Sequence, residues 1–516
     1  MPGDSPAAQK LFAASQAEHG GEVVEAFPLG LDAVGNGKRF ARAYGGRALY
    51  VADWKSWLYW HVPPEYPQGG WWRRDNIGQV QEWAKLVALD MGSELRITPP
   101  GKSEDEARRE LNQFVHRTLD SGIGKMLEMA SSEPTIAATP EMFDVDPWLF
   151  NFHNGTLDLR TGEFAPALPE HFITKSTNTH YDASADAPPW RAFLSLVQPS
   201  EIEQAFLQRA VVYSMTGLTV YPEAFFVLCG TAGTGKSTFT DTLMELFGDY
   251  AKVAPTFMLL KQRGNDDRKN EIAWIRDARL VVVGETDERA RISISTIKSI
   301  TGGDRMVGRR LNEQYSQSKA THKMWLHTNY EPDPGINDIG FFDRLKLIRF
   351  DQRVRDGAGA EALRELCGRR NIKEVLAEHL PGIANWALEG LPAWREHGLG
   401  ETDAVKEAVK ELQRSSDLLR SFIAECLVKD PVATLLAKDC YAVYKAWCGD
   451  SGYTPDGKKM FNRHLREAGF VSKHEAAGDV WLGLRRRGPG ETSNTPWKHP
   501  DGDDGLFTTE DTEKNG

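Results

Sequence analysis

The polypeptide has 516 residues, 41% of them hydrophobic and 26% charged, and its formal net charge is −11 at pH 7. This length predicts about three domains, and the composition is typical of a soluble globular protein. No apolar run is long enough for a membrane helix, the N-terminus lacks the pattern of a secretory signal, and the five scattered cysteines favour the cytoplasm. The negative net charge argues against a general nucleic-acid coat protein, but screening still permits a local basic surface that binds DNA.

The N-terminal third of the sequence predicts an α+β domain that follows a short flexible segment. Residues 1–29 are small and polar and predict a flexible segment, and residues 30–190 form the domain. We expect the two strands of a hairpin at residues 50–54 and 57–60, and helices between residues 75 and 130. Asn154-Gly155 predicts a turn between short strands, and Pro188-Pro189 marks the boundary to the next domain.

The aromatic residues between positions 54 and 83 have two interpretations. Tryptophan rings stack well on single-stranded bases. Aromatic side chains more often fill the core of a small β-rich unit. We favour the core.

Residues 230–237 read Gly-Thr-Ala-Gly-Thr-Gly-Lys-Ser, a complete P-loop motif. An apolar run predicts a buried strand before it, and apolar residues at helical spacing predict a helix after it. In this context backbone N–H groups bind phosphate, Lys236 reaches the β- and γ-phosphates, and the Ser237 hydroxyl ligates Mg²⁺. The predicted ATP-binding residues are Gly230, Thr231, Ala232, Gly233, Thr234, Gly235, Lys236, Ser237 and Thr238.

Such an ATPase also needs a carboxylate at the end of a second buried strand. The β-branched run at residues 280–283 is followed by Gly284 and Glu285. Glu285 is the predicted carboxylate that holds Mg²⁺ or activates the attacking water, and the pattern does not separate these roles. Asp287 is the second choice, because strand alternation would bring it close.

A third strand, at residues 323–328, ends at Asn329. Tyr330-Glu331-Pro332 stops the strand immediately afterwards. A polar side chain at this position can orient the attacking water beside the γ-phosphate. The alternative is that Asn329 only forms a turn.

Asp343-Arg344 is the fourth element. An arginine that reaches the ATP site of a neighbouring subunit stabilises charge on the transferring phosphoryl group. We assign this role to Arg344, and an arginine without a function is the alternative.

Positive charge is concentrated between the second and third elements. A charge run is usually a solvated surface, but this one lies within the ATPase core, where it can line a channel and contact DNA phosphates. The predicted contacts are Lys298, Arg305, Arg309, Arg310, Lys319 and Lys323.

Residues 410–487 predict a small winged-helix domain, built from three helices and a hairpin. Lys458, Lys459 and Arg463 on its third helix suit contact with duplex phosphates. A docking or oligomerisation module is the alternative. The tail, residues 488–516, is rich in Gly, Pro, Thr and Asp and is predicted to be disordered.

The four elements, in this order, resemble the superfamily 3 helicases, and most closely the phage and plasmid replicative primase–helicase family. Upstream, the Gly35-Asn36 region and residues 154–159 resemble the poxvirus-type N-terminal domain of that family, and residues 381–394 resemble its helical follow-on. The resemblance covers about residues 30–487. The matching segments in the core are the P-loop, Glu285, Thr301-Gly302-Gly303-Asp304, Arg309-Arg310, Thr328-Asn329 and Asp343-Arg344.

The resemblance implies an α/β fold, with an AAA+-like P-loop ATPase core and helical follow-on over residues 191–400. It implies a ring, usually a homohexamer, in which Arg344 acts on the P-loop of a neighbour and ATP and Mg²⁺ are the cofactors. It further implies that the basic region pulls single-stranded DNA, typically 3′ to 5′, at a fork. Larger members carry a primase domain, for which residues 1–29 leave no room. We therefore expect no primase activity and name a separate primase or polymerase as a candidate partner.

These inferences favour an ATP-dependent replicative DNA helicase, encoded by a phage, prophage or plasmid and acting in the cytoplasm of a bacterial host. One alternative is a P-loop kinase for small molecules, against which Asn329, Arg344 and the long flanking domains argue. The other is an initiator that marks an origin through its winged helix and uses ATP only to assemble.

Overall fold

A computed structural model of the chain describes residues 29–91, 103–219, 223–260, 274–275, 277–285, 292–302, 305–308, 316–332, 338–355, 359–451, 453–476, 478–488 and 491. The segments predicted to be flexible or disordered, residues 1–29 and 488–516, lie almost entirely outside these ranges. Among the described helices, none has both the length and the apolar character that a membrane span requires.

The N-terminal part combines a small sheet with a group of helices. Its elements are α1 (Ala33–Tyr44), β1 (Ala48–Val51), β2 (Ser56–His61), β3 (Trp71–Arg74), α2 (Gln79–Asp90), α3 (Glu104–Arg117), α4 (Ile123–Ala130) and β4 (Ala137–Ala138). The sheet has the order β3-β2-β1-β4, with β1 antiparallel to β2 and parallel to β4. The aromatic side chains pack on two apolar clusters on opposite sides of this sheet, in agreement with the core interpretation.

Two local features differ from the prediction. The hairpin is present, but its first strand ends at Val51, and Ala52–Trp54 forms a 3₁₀ turn instead of continuing the strand. Helix α1 is not apparent in the sequence because Gly35 and Gly37 disfavour a helix. A Cβ on Gly37 would lie 2.7 Å from Met129 Cβ, so glycine is what permits α1 to pack closely on α4.

A three-stranded antiparallel sheet and two helices lead into the centre of the chain. They are β5 (Leu149–Phe152), β6 (Gly155–Asp158), β7 (Glu163–Ala165), α5 (Pro188–Val197) and α6 (Glu201–Met215). The predicted turn is present one residue earlier than expected, because His153 and Asn154 form it and Gly155 begins β6 opposite Phe152.

The central part is an α/β unit built on a parallel sheet. Its elements are β8 (Phe225–Cys229), α7 (Lys236–Phe247), β9 (Ala251–Ala254), β10 (Leu280–Val283), α8 (Ile294–Thr301), β13 (Lys323–Thr328), α9 (Ile339–Arg344) and β14 (Leu345–Arg349). The order is β14-β8-β13-β10-β9, and every neighbouring pair is parallel. The carboxyl ends of these strands therefore meet on one side of the sheet. The predicted α/β class with a P-loop core is confirmed.

Both faces of the central sheet are buried, as an all-parallel sheet requires. Side chains alternate along β8, so Phe226 and Leu228 enter one apolar cluster with α5, α6 and α7, while Phe225 and Val227 enter the cluster on the other face. This burial explains why the strands read as continuous apolar runs.

An antiparallel hairpin is inserted between α8 and β13, and a run of helices follows β14. The hairpin strands are β11 (Arg305–Gly308) and β12 (Ser316–Lys319). The helices are α10 (Ala360–Cys367), α11 (Ile372–Ala377), α12 (Leu380–Leu388), α13 (Leu391–His397) and α14 (Asp403–Cys426).

The C-terminal unit has the three helices and the hairpin that the sequence predicts, and one further strand. It consists of the end of α14 with β15 (Leu427–Leu436), α15 (Ala437–Asp450), α16 (Lys458–Glu467), β16 (Ser472–Glu475) and β17 (Gly478–Arg486), in sheet order β15-β17-β16. Strand β15 is not apparent in the sequence because only its first residue is buried, it contains Pro431, and its register shifts between Lys429 and Thr434.

Candidate functional site

The loop of residues 230–235 joins the carboxyl end of β8 to the N-terminus of α7. Gly233 and Gly235 have φ angles of 82° and 87°, in the left-handed region that favours glycine. A Cβ on Gly235 would also lie 2.8 Å from carbon atoms of Phe193 and Val197 on α5. The loop thus has the backbone conformation that turns N–H groups toward a phosphate.

The chain that follows β14 supports the loop from outside. Phe350 N–H donates to Cys229 O at 2.8 Å, and Val354 N–H donates to Gly233 O at 3.0 Å. A Cβ on Gly230 would lie 2.0 Å from Phe350 O. The contact between residues 350–354 and the P-loop was not predicted, because nothing in the local sequence of this segment indicates which loop it contacts.

Lys236 is 5% exposed, and its ammonium group points into the loop. Its Nζ donates to Gly230 O at 2.7 Å, to Thr231 O at 2.8 Å and to Asn329 Oδ1 at 3.1 Å. Burial lowers the pKa of Lys236, and the charge of Glu285 opposes this shift. The lysine is therefore held at the position where the loop would cradle phosphates.

The structure brings three of the four predicted catalytic residues together. Strand β13 lies between β8 and β10, so Asn329 at its carboxyl end stands between the P-loop and Glu285. Asn329 Nδ2 donates to Glu285 Oε1 at 3.0 Å while its Oδ1 accepts from Lys236. The result is a continuous hydrogen-bonded row from ammonium to amide to carboxylate. Asp287 lies outside the described residues.

The residues present suit a nucleotide with Mg²⁺. Ser237 is exposed in the first turn of α7, and Glu285 is exposed at the end of β10. Among the described residues no cluster of three or more His, Cys, Asp or Glu side chains is placed to hold a metal. This set of one hydroxyl and one carboxylate suits Mg²⁺, which keeps several waters and is completed by nucleotide phosphates.

The other predicted ATP-binding residues surround this row. Thr231 and Ala232 are exposed at the loop tip, and Thr238 is half-buried in α7. Thr234 is buried, and its hydroxyl donates to Thr231 O at 2.9 Å. Thr234 therefore stabilises the loop through its side chain.

His327 is a neighbour of the site that the sequence reasoning missed. Its Nδ1 lies 3.1 Å from Thr240 Oγ1 on α7, and burial lowers the pKa of its ring, against the charges of Asp241 and Glu285. The signal that would have found it is strand alternation, because residues 327 and 329 lie on the same side of a strand.

Arg344 does not join this group within one chain. It ends α9 and precedes β14, so it lies at the amino end of the sheet, whereas the P-loop follows the carboxyl end. The five residues of β8 separate the two ends by roughly 16 Å. Its guanidinium pairs with Glu223 and donates to Gly340 O at 2.7 Å.

The basic stretch is only partly arranged as expected. Arg305 and Lys319 are opposite each other at the base of the β11–β12 hairpin. Arg309 and Arg310 lie outside the described residues. Lys298 is on α8, where its Nζ lies 3.1 Å from both carboxylate oxygens of Asp338.

The prediction that Lys323 contacts DNA is wrong for this conformation. Lys323 is 2% exposed at the start of β13, and its Nζ donates to the carbonyl of Thr216 at the C-terminus of α6. Burial lowers its pKa well below the usual range. Its polar head binds a helix end inside the protein because the central sheet is covered on both faces.

In the C-terminal unit, Lys458 and Lys459 are exposed on the first turn of α16. Arg463 is half-buried one turn later, with Nη2 2.9 Å from Met460 Sδ. The two lysines are therefore accessible to a partner, whereas Arg463 is in part a packing residue.

Family models match three segments of the chain. Residues 37–199 match the description "D5 N terminal like", residues 414–481 match "Poxvirus D5 protein-like", and residues 228–341 match a family of unknown function, DUF5906. The two D5 matches flank the P-loop core.

Viral proteins named putative helicases are relatives of the chain. Helicase L207/L206 of Acanthamoeba polyphaga mimivirus is 24% identical over 406 residues, 74% of this chain and 42% of that protein. Helicase 022R of Frog virus 3 is 28% identical over 52% of this chain and 28% of its own length. Helicase 121R of Invertebrate iridescent virus 3 is 23% identical over 66% of this chain and 39% of its own length. The chain thus spans less than half of each relative.

A solved structure, the apo C-terminal region of NrS-1, aligns with 84% of this chain and 94% of its own, with a TM-score of 0.38 and 10% identity. The fold and the site define the chain as a P-loop protein of α/β class. On both sides of that core the chain is similar to D5-type family models, over residues 37–199 and 414–481.

Proposed function

We propose that the chain is an ATP-dependent DNA helicase that acts in replication as a ring of identical subunits. The observation that carries the proposal is the division of the ATPase residues between two ends of one sheet. Lys236, Asn329 and Glu285 form a bonded row at the carboxyl end, while Arg344 lies at the amino end. A complete hydrolytic site then requires the Arg344 of a second copy.

In this proposal each residue has a defined task. ATP with Mg²⁺ supplies the phosphoryl group and the metal that neutralises its charge. Lys236 exchanges its backbone partners for phosphate oxygens, and Ser237 and Glu285 hold the metal or its waters. Asn329 positions the attacking water between Lys236 and Glu285. Arg344 from the neighbour stabilises charge that develops on the transferring group.

Two features provide the DNA contacts. The β11–β12 hairpin, with Arg305 and Lys319 at its base, is the candidate channel element for single-stranded DNA, and Arg309 and Arg310 lie between its strands in the sequence. Lys458 and Lys459 on α16 are candidate contacts to the duplex ahead of the fork. We further propose that the ring is a hexamer and that it moves 3′ to 5′ along single-stranded DNA. The gene would belong to a phage, prophage or plasmid of a bacterial host.

Strand displacement tests the proposal. The wild-type chain should hydrolyse ATP faster when single-stranded DNA is added, and should unwind a forked duplex with a 3′ tail. A Lys236→Ala chain should assemble but unwind nothing. Unwinding by a Lys236→Ala ring would eliminate the motor.

The alternative function is an initiator that binds an origin and uses ATP only to assemble. The exposed lysines of α16 favour it, since they suit duplex contact without unwinding. It predicts ATP-dependent assembly on duplex DNA, no displacement of a strand, and turnover that single-stranded DNA does not change.

A further inference from the structure

Arg344 is held inside its own subunit by a carboxylate. The side chain is 18% exposed, and its guanidinium is paired with Glu223, whose side chain is 32% exposed. Arg344 Nη1 donates to Gly340 O at 2.7 Å, while Nε is buried and finds no hydrogen-bond partner in the described part of the chain. One strong partner therefore dominates the charged head.

Glu223 is the carboxylate that holds the guanidinium group of Arg344. Asp338, the N-cap of α9, also interacts with the charge of Arg344, but its carboxylate already accepts from Phe341 N–H and from Lys298. Burial would raise the pKa of Asp338, but these two bonds and the charge of Arg344 lower it. Asp338 is thus already occupied.

Gly340 permits this arrangement. A Cβ at this position would lie 3.0 Å from Lys298 Cε and 3.3 Å from Arg344 Nη1. The glycine therefore lets both basic side chains approach the first turn of α9. Ile339, beside it, is 70% exposed.

We propose that Glu223 is a positioning residue that retains Arg344 until a neighbouring subunit presents a bound nucleotide. This inference rests on the proposed function, because it takes Arg344 as the group that acts on the neighbour's ATP. The phosphates of that ATP and the Glu223 carboxylate are anions that compete for one guanidinium. Arginine forms similar paired hydrogen bonds with carboxylates and phosphates, so exchange between them is chemically direct.

The competition has a measurable consequence. Each ATP-bound interface must first separate Arg344 from Glu223, and this cost weakens nucleotide-dependent assembly. Partly exposed ion pairs contribute up to about 1 kcal/mol, which corresponds to about a fivefold change in an equilibrium constant. Removing the charge of Glu223 should therefore strengthen assembly with ATP and leave assembly without nucleotide unchanged.

The test uses the full chain with the variant Glu223→Gln. Sedimentation velocity with a slowly hydrolysed ATP analogue should show half-assembly at about fivefold lower protein concentration than for the wild type. Glu223→Asp, which keeps the charge, should restore the wild-type value. In the background of Arg344→Ala the Glu223→Gln shift should disappear, since the two residues act on one contact.

Glu401→Gln is the matched control. Glu401 is 31% exposed and pairs with Lys346 at 2.9 Å, close in sequence to Arg344. If Glu401→Gln gives the same shift, or Glu223→Gln gives none or the opposite shift, the positioning role is wrong. A wild-type chain that never assembles with nucleotide would instead overturn the ring of the proposed function, and this inference with it.

Discussion

The two ends of the central sheet each bury a lysine, and the two lysines differ in what surrounds them. At the carboxyl end, Lys236 bonds to loop carbonyls and to Asn329, which continues to the exposed Glu285. At the amino end, Lys323 bonds to Thr216 at the C-terminus of α6. There Arg279, also buried, donates to Met215 O at 2.6 Å, so two basic side chains cap one helix.

This contrast distinguishes Lys236, which we propose binds phosphate, from Lys323, whose contacts are structural. Burial lowers the pKa of both, so neither burial nor pKa identifies function by itself. The difference lies in the partners, since the carbonyls around Lys236 belong to a solvent-accessible loop and can be exchanged for phosphate. The carbonyls around Lys323 belong to a helix end in the core and cannot be exchanged without unfolding.

Arg344→Ala should have the largest effect on ATP hydrolysis. It tests whether a residue at the amino end of the sheet takes part in catalysis. We expect kcat for ATP hydrolysis to fall by about 10³-fold or more, because an arginine finger contributes that much. Mixed rings of Arg344→Ala and Lys236→Ala subunits should recover some activity, since each lacks a different half of the site. The absence of recovery at every mixing ratio would exclude catalysis between subunits.

Lys236→Ala should have the second largest effect. It should reduce ATP hydrolysis without reducing the stability of the fold. Removing a donor to the phosphates should lower kcat by about 10²–10³-fold, as for other preorganised donors. The melting temperature should stay close to that of the wild type, because the loop carbonyls released by the change can reach water. A marked fall in melting temperature, measured by calorimetry, would show that Lys236 is structural like Lys323.

Lys323→Ala should reduce the stability of the fold and leave ATP hydrolysis nearly unchanged. It leaves Thr216 O without its donor and opens a cavity at the base of β13, so unfolding should become easier by about 2–4 kcal/mol. ATP hydrolysis per folded molecule should remain within about threefold of the wild type, as no contact with the P-loop is lost. Denaturant titration and steady-state kinetics on the same preparation separate the two outcomes. A loss of DNA affinity without a loss of stability would restore the original assignment of Lys323.

The sequence was sufficient for the carboxyl end of the sheet and insufficient for the amino end. The P-loop, Glu285 and Asn329 each come after an apolar run, and parallel strands bring such positions together, so their proximity was predictable. The position of Lys323 was not, because a lysine at a strand start reads the same whether it faces solvent or a helix end. The Glu223–Arg344 pair joins residues far apart in the chain, and no periodicity links them.

The smallest effect should be on the pH dependence of the unfolding free energy. It tests whether the basic side chains at the amino end of the sheet are buried. His322 is fully buried beside Lys323, and burial lowers its pKa to about 3, with the charge of Lys323 contributing. The unfolded chain binds this proton near pH 6.5 and the folded chain does not, so stability is lost as the pH falls below 6.5. Between pH 7 and pH 5 this one residue should lower the unfolding free energy by about 2 kcal/mol. His322→Leu should flatten that part of the urea-unfolding profile, whereas His397→Gln, at an exposed position at the end of α13, should not. Parallel profiles for wild type and His322→Leu would mean that the ring is protonated in the folded state, and the amino end would then be open to solvent like the carboxyl end.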